Sequence, residues 1–286
     1  MYRRAIVQAI WVLRQFTLVL FGVVVYFGVR GLTEARPSTA IAHAHDVLAF
    51  ETRLNLNQEE RLQDLLVGRD WLATVANWIY IWGHWPVIAS VMVWLALRHR
   101  QIFFRLRNAM IASGAVGLVI FATYPVAPPR LTGLGLIDTV TQRSHAYRVL
   151  QPPAFVNQYA AMPSLHVGWD LLVGLAVASA ATRFWLRWLG FLMPVLMATA
   201  VVLTANHYLI DGVAGAMLAL AGLAAALRLE RWQQRAGPQT IDLISEVPTP
   251  VSASAAPGSL VPYRQVPAAR TAPDSRALGC PGSLAD

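Results

Sequence analysis

Lysine is missing from this chain. All 23 basic residues among its 286 are arginine, set against only 15 acidic residues. Charged residues amount to 13% and hydrophobic ones to 56%, whereas soluble domains average about 25% charged. That scarcity excludes an ordinary soluble domain, and the apolar content excludes disorder throughout. The net charge of +8 does not point to nucleic acid, because the arginines are not spread along one face of a polar domain. They stand in short clusters between apolar runs, as in membrane proteins. A single cysteine, Cys280, leaves no disulfide framework and no cysteine-rich metal site.

What the chain does have is long apolar runs. A bilayer core about 30 Å thick takes roughly 20 apolar residues as a helix. Six stretches are expected to span: 11–29, 71–97, 109–124, 165–181, 186–205 and 208–227. They are apolar all round, without the alternation of a transmembrane barrel. The expected fold is therefore all-α, a polytopic membrane protein of six transmembrane helices. Arg14 lies in the first run, and Pro194 in the fifth is expected to bend it.

Arginine placement orients the bundle. Arg3 and Arg4 precede the first run, and Arg98, Arg100, Arg105 and Arg107 fill an expected loop between the second and third. Arg183 and Arg187 flank the fourth connection, and Arg228, Arg231 and Arg235 follow the sixth run. Every second boundary is basic, which makes these the cytoplasmic ends. Both termini are expected inside, with 30–70, 125–164 and 206–207 facing outward. A cleaved signal peptide over the first run is the alternative; it would leave five spans.

The first outer segment reads as two helical pieces. Ser38 suits the cap of one, and Asn57 with Glu60 resembles a capping box for the other. Leu54, Leu56, Leu62, Leu65 and Leu66 give the second an apolar side. It is expected to lie on the outer leaflet as an amphipathic element, or to pack as a lid. From 236 to 286 proline, serine, alanine and glycine dominate, so a disordered cytoplasmic tail is expected after a membrane domain at 1–235.

Ionisable residues in or beside a span are functional candidates. Arg130 stands in TYPVAPPRL, His166 in NQYAAMPSLHVGWD, and His207 and Asp211 in TANHYLIDGVAG. The parity of the spans puts all four at one membrane surface. On a helix, His207 and Asp211 share a face at a spacing of four. The carboxylate can hold one imidazole nitrogen while the other acts as base or nucleophile, or the pair can simply join helices. Pro163 and Ser164 suit the start of a helix whose free N–H groups attract an anion, with His166 in its first turn. Arg130 offers a forked cation suited to phosphate oxygens. Together these groups describe a site for phosphoryl transfer. The rival is a zinc site built from His166, His207, Asp211 and His84, although no HExxH or cysteine ligand set is present. No metal or other cofactor is expected.

These segments resemble the type 2 phosphatidic acid phosphatase superfamily. PSLH matches its second motif, usually PSGH, and HYLID matches the HxxxD of its third. YPVAPPR, AMPSLHVGW, NHYLIDGVAG and NWIYIWGHWP look most like the branch of inositol phosphorylceramide and sphingomyelin synthases, over roughly 70–225. The resemblance implies six helices and metal-independent chemistry. It implies that His207 attacks phosphorus to form a phosphohistidine, that Asp211 orients His207, and that His166 protonates the leaving oxygen. Arg130 would clamp the phosphate, and an alcohol or water would then take the phosphoryl group.

Two departures stand out. The first motif of the superfamily begins with lysine, absent here, and the Ser-Arg that often opens the third is replaced by Ala200 and Val201. Arg143 and Arg148 in the second outer segment are candidates to restore the missing charge. Asp170, four residues after His166, forms a second His–Asp spacing; it is expected to pair with a polar group on another span, such as Asn77, or to sit behind the site. Asn77, Tyr80 and His84 line one face of the second run and either touch the headgroup or hydrogen-bond between helices.

The expected function is an integral membrane phosphotransferase moving a phosphoinositol-type headgroup between lipids at the outer leaflet. Its partners are a phospholipid or lipid-phosphate donor and a lipid alcohol, polyol or water as acceptor. The close alternative hydrolyses a lipid phosphate or polyprenyl (pyro)phosphate with the same histidines. A non-enzymatic lipid transporter or scaffold is the alternative of a different class. Transporters place polar groups near the midplane, often with repeats, and no repeat is visible here.

Overall fold

A computed structural model describes residues 2–32, 37–140 and 157–235. All lie in a unit over Met1–Gln239; a second unit, Thr240–Asp286, together with the expected tail, Arg143 and Arg148, falls outside the described residues. The described elements are helices: α1 Tyr2–Leu32, α2 Pro37–Arg53, α3 Glu59–Asp64, α4 Asp70–Trp82, α5 Trp85–Arg98, α6 Arg100–Thr123, α7 Leu165–Ala180, α8 Phe184–Leu203 and α9 Leu209–Arg235. A 3-10 turn, Pro129–Leu131, follows α6. Among the described residues there is no strand, only one parallel bridge between Val126 and Ala160.

Helix α7 is the axis of the bundle. Twelve of its 16 residues are buried, and α5, α6, α8 and α9 all pack on it. Small residues let backbones approach closely, as in membrane helix pairs. A Cβ on Gly168 would stand 2.4 Å from Gly215 O, and one on Gly215 would stand 2.0 Å from Ser164 O. Only glycine at 215 lets the start of α9 lie against the start of α7.

By length and composition, α6, α8 and α9 can each cross a membrane, and α4 with α5 makes a fourth span if the bent pair counts as one. The apolar run Leu13–Val25 within α1 and the whole of α7 are shorter. At 1.5 Å per residue, α7 is about 24 Å long, less than a hydrocarbon core. The outer face of α8 presents Phe184, Trp185, Trp188, Leu189, Phe191, Leu192 and Val195, all exposed. Such a surface suits lipid.

Several expected boundaries move. The second run is two helices bent by 42° at Gly83 and His84. Pro86 opens α5 without an N–H to donate, which favours a break there. The arginine-rich connection before the third run is almost all helix, with His99 alone between α5 and α6. Arg105 spends its guanidinium on Glu230 of α9 at 2.7 and 3.1 Å, tying those ends together. Helix α2 starts at Pro37, so Ser38 is inside its first turn rather than its cap. The cap of α3 is Gln58, with no side-chain cap bond, in place of the expected Asn57 and Glu60 box. Leu62 and Leu66 of this region pack inward, whereas Leu54 and Leu65 are exposed.

Candidate active site

The sixth run begins later than its spacing predicts. His207 and Tyr208 lie in the turn before α9, and only Asp211 stands in the helix's first turn. The reason is local. Asp211 Oδ2 accepts from Tyr208 N at 3.0 Å, the carboxylate half of a capping box, which stops the helix from extending back. Amides of Asn206 and His207 both bond Val201 O, at 3.0 and 3.2 Å, so the turn is fastened to the end of α8. Ala205 in that turn has φ +54, a left-handed conformation costly for a residue with a Cβ.

The imidazole of His207 is held at one nitrogen. Nδ1 lies 2.7 Å from Ala161 O and 3.4 Å from Asp211 Oδ2. Both neighbours are acceptors, so Nδ1 is the donor and Nε2 is the nitrogen left to act as base or nucleophile. The Asp211 side chain is wholly buried. The carbonyl of Ala161 is thus the nearer partner, a contact that the HxxxD spacing does not announce.

His166 is the second residue of α7. Ser164 caps that helix as expected, its hydroxyl accepting from Val167 N at 3.5 Å, and Pro163 stands one place before the cap. Ser164 N donates to Asp211 O at 2.9 Å, which joins the two motif segments directly. The rings of His166 and His207 have centroids 5.7 Å apart. On its other sides His166 meets Tyr80, stacked at 4.7 Å, and His84, tilted at 4.4 Å.

Asp170 does not pair with Asn77. Its Oδ1 bonds His84 Nδ1 at 2.8 Å, and both groups are buried. The break between α4 and α5 is what turns His84 into the bundle to meet it. Asn77 instead exchanges two bonds with Thr139, donating to Thr139 O at 2.8 Å and accepting from Thr139 Oγ1 at 3.0 Å. It ties α4 to the segment after the 3-10 turn and takes no part in the ring cluster.

Arg130 is anchored to the turn that carries His207. Its Nη1 donates to Asn206 Oδ1, its Nε lies 3.1 Å from Asp138 Oδ2, and its own amide bonds Ala205 O at 3.2 Å. A family model described as the PAP2 superfamily matches residues 45–225. The chain belongs to the PAP2 superfamily. No curated protein and no solved structure matches it. Members of the PAP2 superfamily are typically phosphatases, and membership supports enzyme activity on lipid phosphates in general.

Among the described residues, no group of three His, Cys, Asp or Glu side chains is arranged to hold a metal ion. The cluster that the PAP2 motifs build is instead a row of rings, Tyr80 and His84 on His166 and His166 on His207. Asp170 backs one end and Asp211 the other. Sequence reasoning missed two further acids. Glu51 Oε1 accepts from Ile210 N at 2.8 Å and Glu59 Oε1 from Leu209 N at 3.1 Å. The signal was present: Glu51 continues the buried stripe Ala40, Ala44 and Val47 of α2, where a carboxyl is out of place.

Proposed function

We propose that this PAP2 protein is a membrane phosphotransferase whose nucleophile is Nε2 of His207. The observation that carries the reading is the setting of His207: its Nδ1 faces Ala161 O and Asp211, and the His166 ring lies beside it. Nε2 attacks the phosphorus of a lipid phosphodiester, and the bond to the leaving lipid oxygen breaks. His166 delivers a proton to that oxygen, while Asp211 balances the charge that grows on His207. Arg130, held by Asn206 and Asp138, grips a phosphate oxygen in this reading. In the second step His166 takes the proton of an incoming alcohol, whose oxygen displaces His207 from phosphorus.

The donor in this reading is a phospholipid bearing a phosphoinositol-type headgroup, and the acceptor a lipid alcohol or polyol. The absent lysine and Ser-Arg pair weakens the phosphate grip of a simple phosphatase and favours this reading. The runner-up is hydrolysis of a lipid phosphate or polyprenyl (pyro)phosphate by the same histidines with water as acceptor. We place six spans in the membrane, both termini in the cytoplasm and the site at the outer leaflet, on the arginine pattern.

The test supplies labelled phospholipid to the purified protein, with and without inositol or a lipid alcohol. Transfer of label to the acceptor is expected, together with an acid-labile phosphoprotein mapped to His207. Release of free phosphate whatever the acceptor would replace transfer by hydrolysis. Label on another residue would overturn the assigned roles, and inhibition by chelators would revive a metal.

A further inference from the structure

Behind the turn that carries His207, the structure buries a pair of carboxyl groups. Glu51 near the end of α2 is fully buried, and Glu59 at the start of α3 is nearly so. Each gives one oxygen to a backbone N–H of α9: Glu51 to Ile210 and Glu59 to Leu209. These N–H groups are among those a helix start leaves without internal partners. The two carboxyls also lie against each other, and among the described residues the buried Glu51 Oε2 has no hydrogen-bond partner. Two buried acceptors can make such a contact favourable only when a proton lies between them.

We propose that Glu51 and Glu59 share one proton and act together as positioning residues for His207, clamping the first two amides of α9. This rests on the phosphotransfer reading above and extends it to residues that touch no substrate. The clamp works on the two residues that separate the Tyr208 amide from Asp211. It thereby fixes the carboxylate that faces His207 Nδ1. The titratable groups facing Glu51 are Glu59 from α3, and Asp211 and Tyr208 from the start of α9. Among the described residues no arginine bonds either carboxyl.

Burial, opposed in part by the Ile210 amide and reinforced by the nearby acids, pushes the Glu51 carboxyl from 4.5 up to about 8. The sign follows. A folded-state value above the ordinary one gives stability that is complete below about 4.5 and lost as pH rises through about 8. Above that pH a second negative charge enters the clamp beside Asp211, and the clamp opens.

The experiment compares Glu51→Gln, Glu51→Ala and the wild-type full chain in detergent. Glutamine keeps an acceptor for Ile210 N and is neutral at every pH. Glu51→Gln is expected to hold kcat within about threefold at pH 7 and to move the alkaline limb of kcat up by at least one pH unit. Glu51→Ala is expected to lower kcat at least tenfold with KM changed less than threefold. Two readouts need no activity. The wild-type Tm falls between pH 5 and 9 more steeply than that of Glu51→Gln, and the His207 signal in histidine-labelled NMR moves in Glu51→Ala but not in Glu51→Gln. Parallel Tm profiles, or an unmoved His207 signal, overturn the clamp even in an inactive protein. A wild type that transfers no label from phospholipid to inositol or a lipid alcohol overturns the phosphotransfer reading instead, leaving the Tm and NMR results to decide the shared proton and the clamp.

Discussion

Gly215→Ala is the sharpest probe of how the two motif segments are held together. A methyl at this position would stand 2.0 Å from Ser164 O, 2.7 Å from Ser164 C and 3.1 Å from Ser164 N. All three are backbone atoms at the cap of α7, so no side chain can swing away. Ordinary contact begins near 3.4 Å, and relief requires the starts of α7 and α9 to part by roughly 1.4 Å. The Ser164 N to Asp211 O bond at 2.9 Å spans that same gap and breaks with it. His166 rides on α7, while Asp211 rides on α9 and His207 on the turn just before it. A misplacement of about 1 Å in a catalytic array costs on the order of 100-fold in rate, and overpacking costs about 1–3 kcal/mol in stability. Two controls separate these effects. A methyl at Gly212 meets only Val167, at 3.6 and 3.9 Å, so Gly212→Ala is expected to be near neutral. A methyl at Gly222 strikes Ala109 O at 2.6 Å on α6, away from the site, so Gly222→Ala should lose stability and keep kcat. The assay is transfer of label from phospholipid to inositol or a lipid alcohol in detergent, with thermal unfolding recorded on each sample. A Gly215→Ala protein turning over within threefold of wild type would refute the reasoning.

Other outcomes follow from single contacts. Asp170→Ala strips the buried His84 of its partner at 2.8 Å and should cost about 3–5 kcal/mol, read as a lowered Tm; Asp170→Asn, which keeps an acceptor, should cost less, and equal losses would count against the pairing. Arg130→Gln removes a charge-assisted grip on phosphate worth about 1.5–3 kcal/mol. It should raise KM for the donor phospholipid at least tenfold, and an unchanged KM removes Arg130 from the site. His207→Ala and His166→Ala should each abolish turnover nearly completely, whereas turnover retained in the first would point to another nucleophile and in the second to another proton donor.

The position of the break between α4 and α5 shows where sequence reading stops. The run 71–97 is long enough for one span and carries Pro86 near its middle, and proline is tolerated in membrane helices. Nothing local says whether it bends the helix or ends it. The buried Asp170 on α7 makes the broken form useful, because it gives the freed His84 a partner. The capping box at Asn57 and Glu60 fails for a similar reason. Glu59 is drawn inward by the amide of Leu209, 150 positions away, and α3 is placed by that contact. The helical class and the apolar runs were legible.

Composition and period determined that this protein is built of apolar helices, because hydrophobicity and i, i+4 spacing are properties of a segment alone. The motifs determined which imidazoles and acids are candidates. Tertiary structure alone decided the pairings: Asp170 with His84, the Ala161 carbonyl with His207 across 46 positions, and Glu51 with Ile210 across 159. A buried polar group takes whichever partner the packing brings within reach, and packing depends on how helices cross, which no local pattern encodes.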